Sequence, residues 1–421
     1  MSTLVEDLPL EATETPDSQA ALAALVGDAY QSRRPVYPIG GGTSLDYGLS
    51  ATRPGLGLSL AGLTRVVDYP QRDMTITVEA GMTLARLAEV LAEGRQWLPI
   101  DAPQPERATL GGAIATAASG PRRYGFGTLR DYVIGITAVD GRGEIFKGGG
   151  RVVKNVAGYD FCKLLTGSLG TLGVITQVTF KLKPLVERSV LIQCEVSDAE
   201  HAERLLAHVV TSATTPTAVE LLAGPAWDAS ILGPASSGSW ARLALGIEGT
   251  AREVEWMLEQ IKVEWRGLGV GEPRVYSEEQ AATLWQQLRD FPAQHGAPLV
   301  IKATMIPSQV TNFMRMLREH DHDASIQAHA GNGIVIAELP HFTSEHVSRV
   351  LIGRLQPAAR QAGGSVTVLS STLSGLTRQA IWAGANSAAL WMQKVKRQFD
   401  PRNILNPGRF VYDVGESLDE N

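Results

Sequence analysis

Pro38-Ile39-Gly40-Gly41-Gly42-Thr43-Ser44 is the stretch on which the reading of this chain turns. It follows Val36-Tyr37, a β-branched and an aromatic residue, and Val36 to Ile39 reads as a strand. Three successive glycines can take backbone angles closed to residues that carry a Cβ. Their N–H groups can then converge on one point as an anion nest, with the Thr43 and Ser44 hydroxyls as two further donors. The guest that suits such a nest is a phosphate or pyrophosphate. The competing reading is a plain turn, because glycine is first of all a turn residue.

Two further glycine segments bear on that choice. Thr109 to Gly120 reads TLGGAIATAASG, nearly all small residues. Such a segment packs little volume, so its use is close approach, either to another backbone or to a ligand. Arg122 and Arg123 follow, and read either as phosphate-facing or as a solvated pair. Tyr132–Val139 and Glu144–Lys147 flank Asp140-Gly141-Arg142-Gly143, a hairpin signal. Tyr159–Leu165 looks helical, and Gly167, Gly170 and Gly173 form a third glycine turn that feeds the strand Val174–Lys183. A turn lying flat at a strand start can bind by backbone alone, which suits an adenine edge. No G-x-x-x-x-G-K-[ST] and no G-x-G-x-x-G between strand and helix occurs, so neither a P-loop nor a Rossmann fingerprint is supported. Three glycine segments, each beside a strand or helix start, point to one extended ligand touched at several places.

The 421 residues suffice for two or three domains, and the net charge of −6 with no basic cluster argues against nucleic acid. No apolar run approaches the roughly 20 residues that span a bilayer. The acidic N-terminus lacks the features of a signal peptide, so a cytoplasmic location is the default expectation. The two cysteines, Cys162 and Cys194, are too few for a four-thiolate cluster and read as small buried hydrophobes. Electrons cannot leave through a cluster held by this chain alone.

Residues 1–15 read as disordered, Ser18–Arg33 as an amphipathic helix, Met74–Glu79 as a strand, and Thr83 as the cap of a helix running to Glu93. After Pro184 the texture changes. Strand Ser189–Val196, helix Asp198–Ser212 (capped by Ser197 with Glu200), strands Thr217–Ala223 and Trp240–Glu248, helix Ala251–Trp265 and strand Arg274–Tyr276 follow in order. That is βαββαβ, a ferredoxin-like unit. After the helix Glu278–Asp290 the order recurs: Pro298–Met305, Ser308–His320, Ala324–Ala328, Ile334–Leu339, Glu345–Ala362 and Ser365–Leu369. The fold class is α+β, with a duplicated unit whose sheets join or pack. Gly375–Lys396 reads as one long helix, and Phe399–Phe410 (FDPRNILNPGRF) as a surface tail or a return to the ligand site.

These segments together resemble the flavoprotein family of vanillyl-alcohol oxidase and D-lactate dehydrogenase, and within it the FAD-binding E-type subunits of bacterial glycolate oxidase (glycolate dehydrogenase). The pieces that carry it are PIGGGTS at 38–44, TLGGAIATAASG at 109–120, YGFGTLRDYVIG at 124–135, KNVAGYDFCKLLTGSLGTLGVIT at 154–176 and FDPRNILNPG at 399–408. The resemblance implies a two-part PCMH-type FAD-binding domain at 16–187, a cap of duplicated units at 188–397, and a tail, 398–421, returning to the FAD domain. It implies that Pro38, Ile39, Gly40, Gly41, Gly42, Thr43 and Ser44 hold the FAD pyrophosphate. Thr109, Gly111, Gly112, Ser119 and Gly120 would line the flavin and ribityl side. Gly167, Gly170 and Gly173, with the backbone of Val174 and Ile175, would pass the adenosine end, with Asp101 and Asn406 near the cofactor.

Two departures qualify the resemblance. Residues 40–48 contain no histidine, so noncovalent FAD is expected. The family's His-x-Gly-x-Gly-x-x-His run reads HAGNGIVI at 329–336, with Ile336 at the second histidine position. His329 alone cannot assemble a two-imidazole site and is expected to be structural; no metal is expected. Arg289, near Trp285, is a candidate carboxylate clamp. The function implied is the FAD-carrying subunit of a complex that oxidises glycolate to glyoxylate. Its partners would be a related flavin subunit and an iron–sulfur subunit, with peripheral membrane association through them. The alternatives are an autonomous 2-hydroxy acid dehydrogenase of the D-lactate type, and an inert scaffold that keeps the FAD fold.

Overall fold

The computed structural model describes residues 8–150, 158–293, 296–383 and 388–410. They divide into two compact units. Among the described residues, one comprises 8–118, 128–185 and 388–410, and the other 119–127 and 186–383.

The first unit carries two sheets and a two-stranded ribbon. Strands β1 (Leu10–Glu14), β2 (Val36–Ile39) and β3 (Gly55–Ser59) form a parallel sheet in the order β1-β3-β2. Pro38 has no N–H for a ladder, and β2 lies at the sheet's edge, where none is needed on that side. Helix Gln19–Ser32 starts where Ser18 Oγ accepts from the Ala21 amide (3.3 Å), and it buries Leu22, Val26 and Ala29 on one face. The second sheet is antiparallel. Strands β4 (Val66–Asp68), β5 (Thr75–Glu79), β7 (Val133–Val139), β8 (Ile145–Gly149) and β9 (Val174–Lys181) are ordered β4-β5-β9-β7-β8. The ribbon pairs β6 (Gln96–Trp97) with β10 (Lys183–Pro184). Leu22, Val26, Val36, Leu58, Val139, Val174, Ile404 and Leu405 share one core, so chain from both ends of the sequence closes it.

The second unit is one eight-stranded antiparallel sheet. Its strands are β11 (Arg188–Val196), β12 (Ala218–Ala223), β13 (Ala241–Gly249), β14 (Arg274–Val275), β15 (Leu299–Thr304), β16 (Ser325–His329), β17 (Ile334–Leu339) and β18 (Ser365–Ser371). The order β14-β11-β13-β12-β16-β17-β15-β18 is two βαββαβ units laid edge to edge. The seam is β12 against β16, the second strand of each half.

The structure corrects several expectations. Leu10–Glu14 is a strand, not disorder; pairing with β3 supplies hydrogen bonds that its acidic sequence did not advertise. The cap of helix Ala199–Thr211 is Asp198, whose carboxylate accepts from the His201 amide (2.7 Å), rather than a Ser197–Glu200 box. The expected helix Glu345–Ala362 contains a π-helical stretch, Val347–Leu355, just before Pro357. A proline has no N–H and crowds the carbonyl four residues back, which the wider turn relieves. The long helix expected at Gly375–Lys396 is two, Arg378–Trp382 and Ala389–Phe399, the first ending at Ala383 in the left-handed region (φ 55°). The unit boundaries also shift. Helix Ala389–Phe399 belongs to the first unit and not to the cap, and 119–127 belongs to the second.

Among the described residues no helix is long and apolar enough to cross a membrane.

Candidate functional site

In the first unit the three glycine segments meet. Gly40 and Gly41 lie against the chain at 107–109. A Cβ on Gly41 would stand 2.5 Å from the Arg107 carbonyl carbon and overlap its oxygen, and one on Gly40 would overlap Thr109 Oγ1. Thr109 caps the helix Leu110–Ala115 by accepting from the Gly112 amide (3.3 Å). That helix receives the third turn: the Gly167 amide donates to the Ile114 carbonyl (2.9 Å) and the Leu169 amide to that of Ala115 (2.8 Å). Gly167 and Gly170 take positive φ (80° and 66°), which only glycine does without strain. Gly170 faces Asn406 and Pro38; a Cβ there would lie 3.0 Å from Asn406 Nδ2 and 3.7 Å from Pro38 Cγ. Asn406 closes the ring, its amide donating to the Val36 carbonyl (2.9 Å) and its side chain to that of Leu169 (2.7 Å).

Not every glycine here serves a ligand-facing turn. Gly111 approaches Ala80 and Gly173 approaches the Val139 carbonyl, so close packing explains both. Val174 and Ile175 are buried and paired with Val139 and Ala138. Asp101 is buried. Ser119 and Gly120 fall in the second unit, where Ser119 Oγ accepts from Arg123 Nη1 (3.0 Å).

No hydrogen bond from the amides of Gly41, Gly42, Thr43 or Ser44 is formed among the described residues. Ser168 Oγ, in the third turn, is buried with no partner among the described residues. A row of unused amides fits a diphosphate. The residues here are consistent with a noncovalently held cofactor. All eight histidines lie between residues 201 and 346, and burial pushes the Cys162 thiol up to about 11.

The second unit carries a polar group on one face of its sheet. Glu220 accepts from His329 Nδ1 (2.8 and 2.9 Å) and from Gln327 Nε2 (2.9 Å), all three side chains being buried. Lys302 stands opposite Ile336 on β17, and burial, with Arg123 nearby, pulls its ammonium below the ordinary lysine value. Tyr124 lies on Gly331, where any Cβ would overlap its ring. The arginines are not a solvated pair: Arg122 grips Glu248 through Nε and Nη2 (3.0–3.1 Å) and stacks on Trp285 (3.8 Å). Arg289 is no clamp for a ligand, since its guanidinium holds Asp290 (2.9 and 3.0 Å). Sequence reasoning missed Glu220, Gln327 and Lys302. The available signal was a lone charge or amide in an otherwise apolar strand, as in AVELLA and LVIKAT. Among the described residues no group of three or more His, Cys, Asp or Glu is arranged to hold a metal ion.

Glu338 is raised by burial to about 7. A raised carboxyl pKa favours the protonated folded form, so its contribution is complete below the unfolded value near 4.5 and lost as pH rises through about 7. Glu338→Gln is therefore expected to match the parent in stability below pH 4.5 and exceed it above pH 7, by no more than about 2 kcal/mol because water screens a part-exposed group. Urea midpoints across that range check this.

Comparison with known proteins agrees with this geometry. The family described as "FAD binding domain" matches residues 10–149, and "FAD linked oxidases, C-terminal domain" matches residues 185–410. The chain is 26% identical to the glycolate oxidase subunit GlcD of Bacillus subtilis, covering 95% of this chain and 88% of the relative. It is 27% identical to subunit GlcE of Escherichia coli (94% and 99%) and 28% to a D-lactate dehydrogenase of Archaeoglobus fulgidus (94% and 90%). Among solved structures, p-cresol methylhydroxylase superposes with a TM-score of 0.72 at 17% identity, covering 97% of this chain and 91% of that one, so the fold is PCMH-type.

Proposed function

Because this chain belongs to the FAD-linked oxidases, we propose that it oxidises a small 2-hydroxy acid, glycolate or D-lactate, and passes the electrons to a separate iron–sulfur subunit. The observation that carries the reading is the convergence of the 38–44, 109–115 and 167–170 segments with Asn406, with loop amides left unclaimed. The substrate class follows from the similarity to glycolate oxidase subunits and D-lactate dehydrogenases. Bound FAD supplies the hydride acceptor. The loop Gly40–Ser44 holds its diphosphate, the turn Gly167–Gly173 lies along the adenosine, and Asn406 fixes both against β2. In the second unit, the cap, Lys302 holds the acid's carboxylate. It has no ion-pair partner among the described residues, and although burial disfavours its charge, a carboxylate beside it would favour the charged form again. With two buried cysteines the chain holds no cluster, which is why an external acceptor is required.

The test is a visible spectrum of the purified chain before and after anaerobic glycolate or D-lactate. A flavin spectrum that bleaches supports the reading, and acid precipitation should release the flavin into the supernatant. Ile336, in place of a second histidine, favours a second reading in which this flavin only relays electrons from a related subunit. A bound flavin that neither acid bleaches is the result of that case. Lys302→Met is expected to raise KM for either acid about 10- to 100-fold, the worth of one charge-assisted hydrogen bond.

A further inference from the structure

Helix Ala251–Gly267, in the second unit, leaves a patterned face to solvent. It opens at Thr250, whose hydroxyl accepts from the Glu253 amide (3.3 Å) while the Glu253 carboxylate accepts from the Thr250 amide (2.9 Å). Its core face is Val254, Met257, Leu258, Ile261 and Trp265, all buried. The opposite face reads Arg252, Trp256, Glu259, Val263 and Arg266, in alternating steps of four and three residues. A mean step of about 3.5 residues is the seam along which one helix packs on another. Here the seam is exposed and carries two large apolar side chains, Trp256 (53% exposed) and Val263 (59%). Helix Ala199–Thr211 runs beside it, since His208 Nε2 and Ser212 Oγ both reach Glu264 Oε2 (3.2 and 2.7 Å), and it adds Val210, 77% exposed. Exposed hydrophobes scattered singly are ordinary; three on two neighbouring helices form a patch.

The charges beside the seam identify what covers it. At about 100° per residue, Glu255, Glu259, Lys262 and Arg266 fall on one flank of the seam, and Trp256 and Val263 on the other. The Lys262 ammonium and the Glu259 carboxylate hold each other on that flank (2.7 Å). When two copies of a helix pack antiparallel about a twofold axis, residues of the same flank meet in reverse order. The register that sets Trp256 against Val263 of the second copy also sets Glu259 beside its Lys262 and Glu255 beside its Arg266. Symmetry makes each of these contacts twice. In a parallel pair each residue would meet its own copy, like charge on like. With Arg252, the seam and this flank hold three cations and two carboxylates, so the face lacks the negative charge of the chain as a whole (−6). We propose that this face joins two copies of the chain into a twofold dimer, helix Ala251–Gly267 packing antiparallel on its counterpart. Trp256 carries most of the affinity. The exposed ion pairs, each worth little, fix direction and register. The dimer is independent of the substrate and cofactor assigned above.

The test is sedimentation equilibrium of the full-length chain as purified. One helix pair lies at the small end of specific interfaces, so a monomer–dimer equilibrium with Kd on the order of 10 µM is expected. Trp256→Glu should weaken it at least about 100-fold, with the far-UV circular dichroism unchanged because the side chain is exposed. Two double variants test the register: Glu255→Lys with Glu259→Lys, and Lys262→Glu with Arg266→Glu. Each alone is expected to be monomeric, because every pair between copies is then of like sign. An equimolar mixture of the two is expected to dimerise, because every pair is again of opposite sign. A parent that stays monomeric at about 200 µM overturns the proposal. So does a dimer that Trp256→Glu leaves intact, or a mixture that stays monomeric while the parent dimerises. A parent that is monomeric alone but binds a related flavin subunit through Trp256 gives the face another occupant, and overturns it as well. Should Trp256→Glu not fold, the two charge variants still decide.

Discussion

Gly41→Ala is expected to yield a chain that retains no flavin through gel filtration, with a fall in FAD affinity of at least about 100-fold, equivalent to about 3 kcal/mol. The cause is steric. The new Cβ would overlap the carbonyl oxygen of Arg107, and a carbonyl in the backbone cannot rotate aside as a side chain can. Either the 38–44 loop or the 104–109 segment must move. The latter is tied down, since the Arg107 and Ala108 amides both donate to the Gln104 carbonyl (2.9 and 2.7 Å) and the Leu84 amide donates to that of Ala108 (3.0 Å). The loop therefore moves, and the amides aimed at the diphosphate lose their common focus. Overpacking of this kind costs about 1–3 kcal/mol in stability as well. Gly42→Ala is the control. Its position has open space, with nothing nearer than 3.7 Å, so it suffers only the strain of a positive φ (70°) and should lose less. FAD titration by fluorescence quenching ranks the two; equal affinities in Gly41→Ala and the parent would remove the close approach as the reason for glycine.

The second large effect is expected from Lys396 and Asp400. Lys396 is buried, and its ammonium donates to Asp400 Oδ2, to the Thr171 carbonyl (2.7 Å) and to the Leu405 carbonyl (3.0 Å). Asp400 also accepts from the amides of Ile404 (3.0 Å) and Leu405 (2.7 Å). One ion pair thus ties helix Ala389–Phe399, the turn after Gly170 and the chain leading to Asn406. Burial pulls the ammonium below its ordinary value and Asp400 pulls it back, the balance expected of a buried pair. Removing one member strands the other, at about 3–5 kcal/mol. Asp400→Asn should cost more than Lys396→Met, because the carboxylate left by the latter keeps two backbone donors and the ammonium left by the former keeps only carbonyls. Both should weaken FAD binding through Asn406. Urea unfolding midpoints of the two single variants and the double variant check this. Additive losses would mean that the pair is not coupled.

Much of this was legible in the residues because it is local. Thr83 caps the helix it was expected to cap, and helix Glu278–Asp290 spans its expected residues, since caps and periodicity act within a few positions. The duplicated βαββαβ order was readable for the same reason. The 38–44 loop was legible as backbone without side chains, but whether Gly40 and Gly41 face a ligand or a neighbouring strand of chain was not. The structure answers that their Cα atoms lie against residues 107–109 while their amides form no hydrogen bond among the described residues.

What the sequence by itself determined about this protein is the identity of its elements: a glycine loop after a strand, two more glycine turns, and two successive ferredoxin-like halves. Only the tertiary structure decided that the halves join through β12 and β16, that Glu220 thereby meets His329 across 109 positions, that Arg122 reaches Glu248 across 126, and that Lys396 meets the Thr171 carbonyl across 225. The physical reason is range. Dihedral preference, capping and hydrophobic period are set by adjacent residues. The partner of a buried charge is set by which strand edges meet, and a shift of one residue in that register would have turned Glu220 to the opposite face.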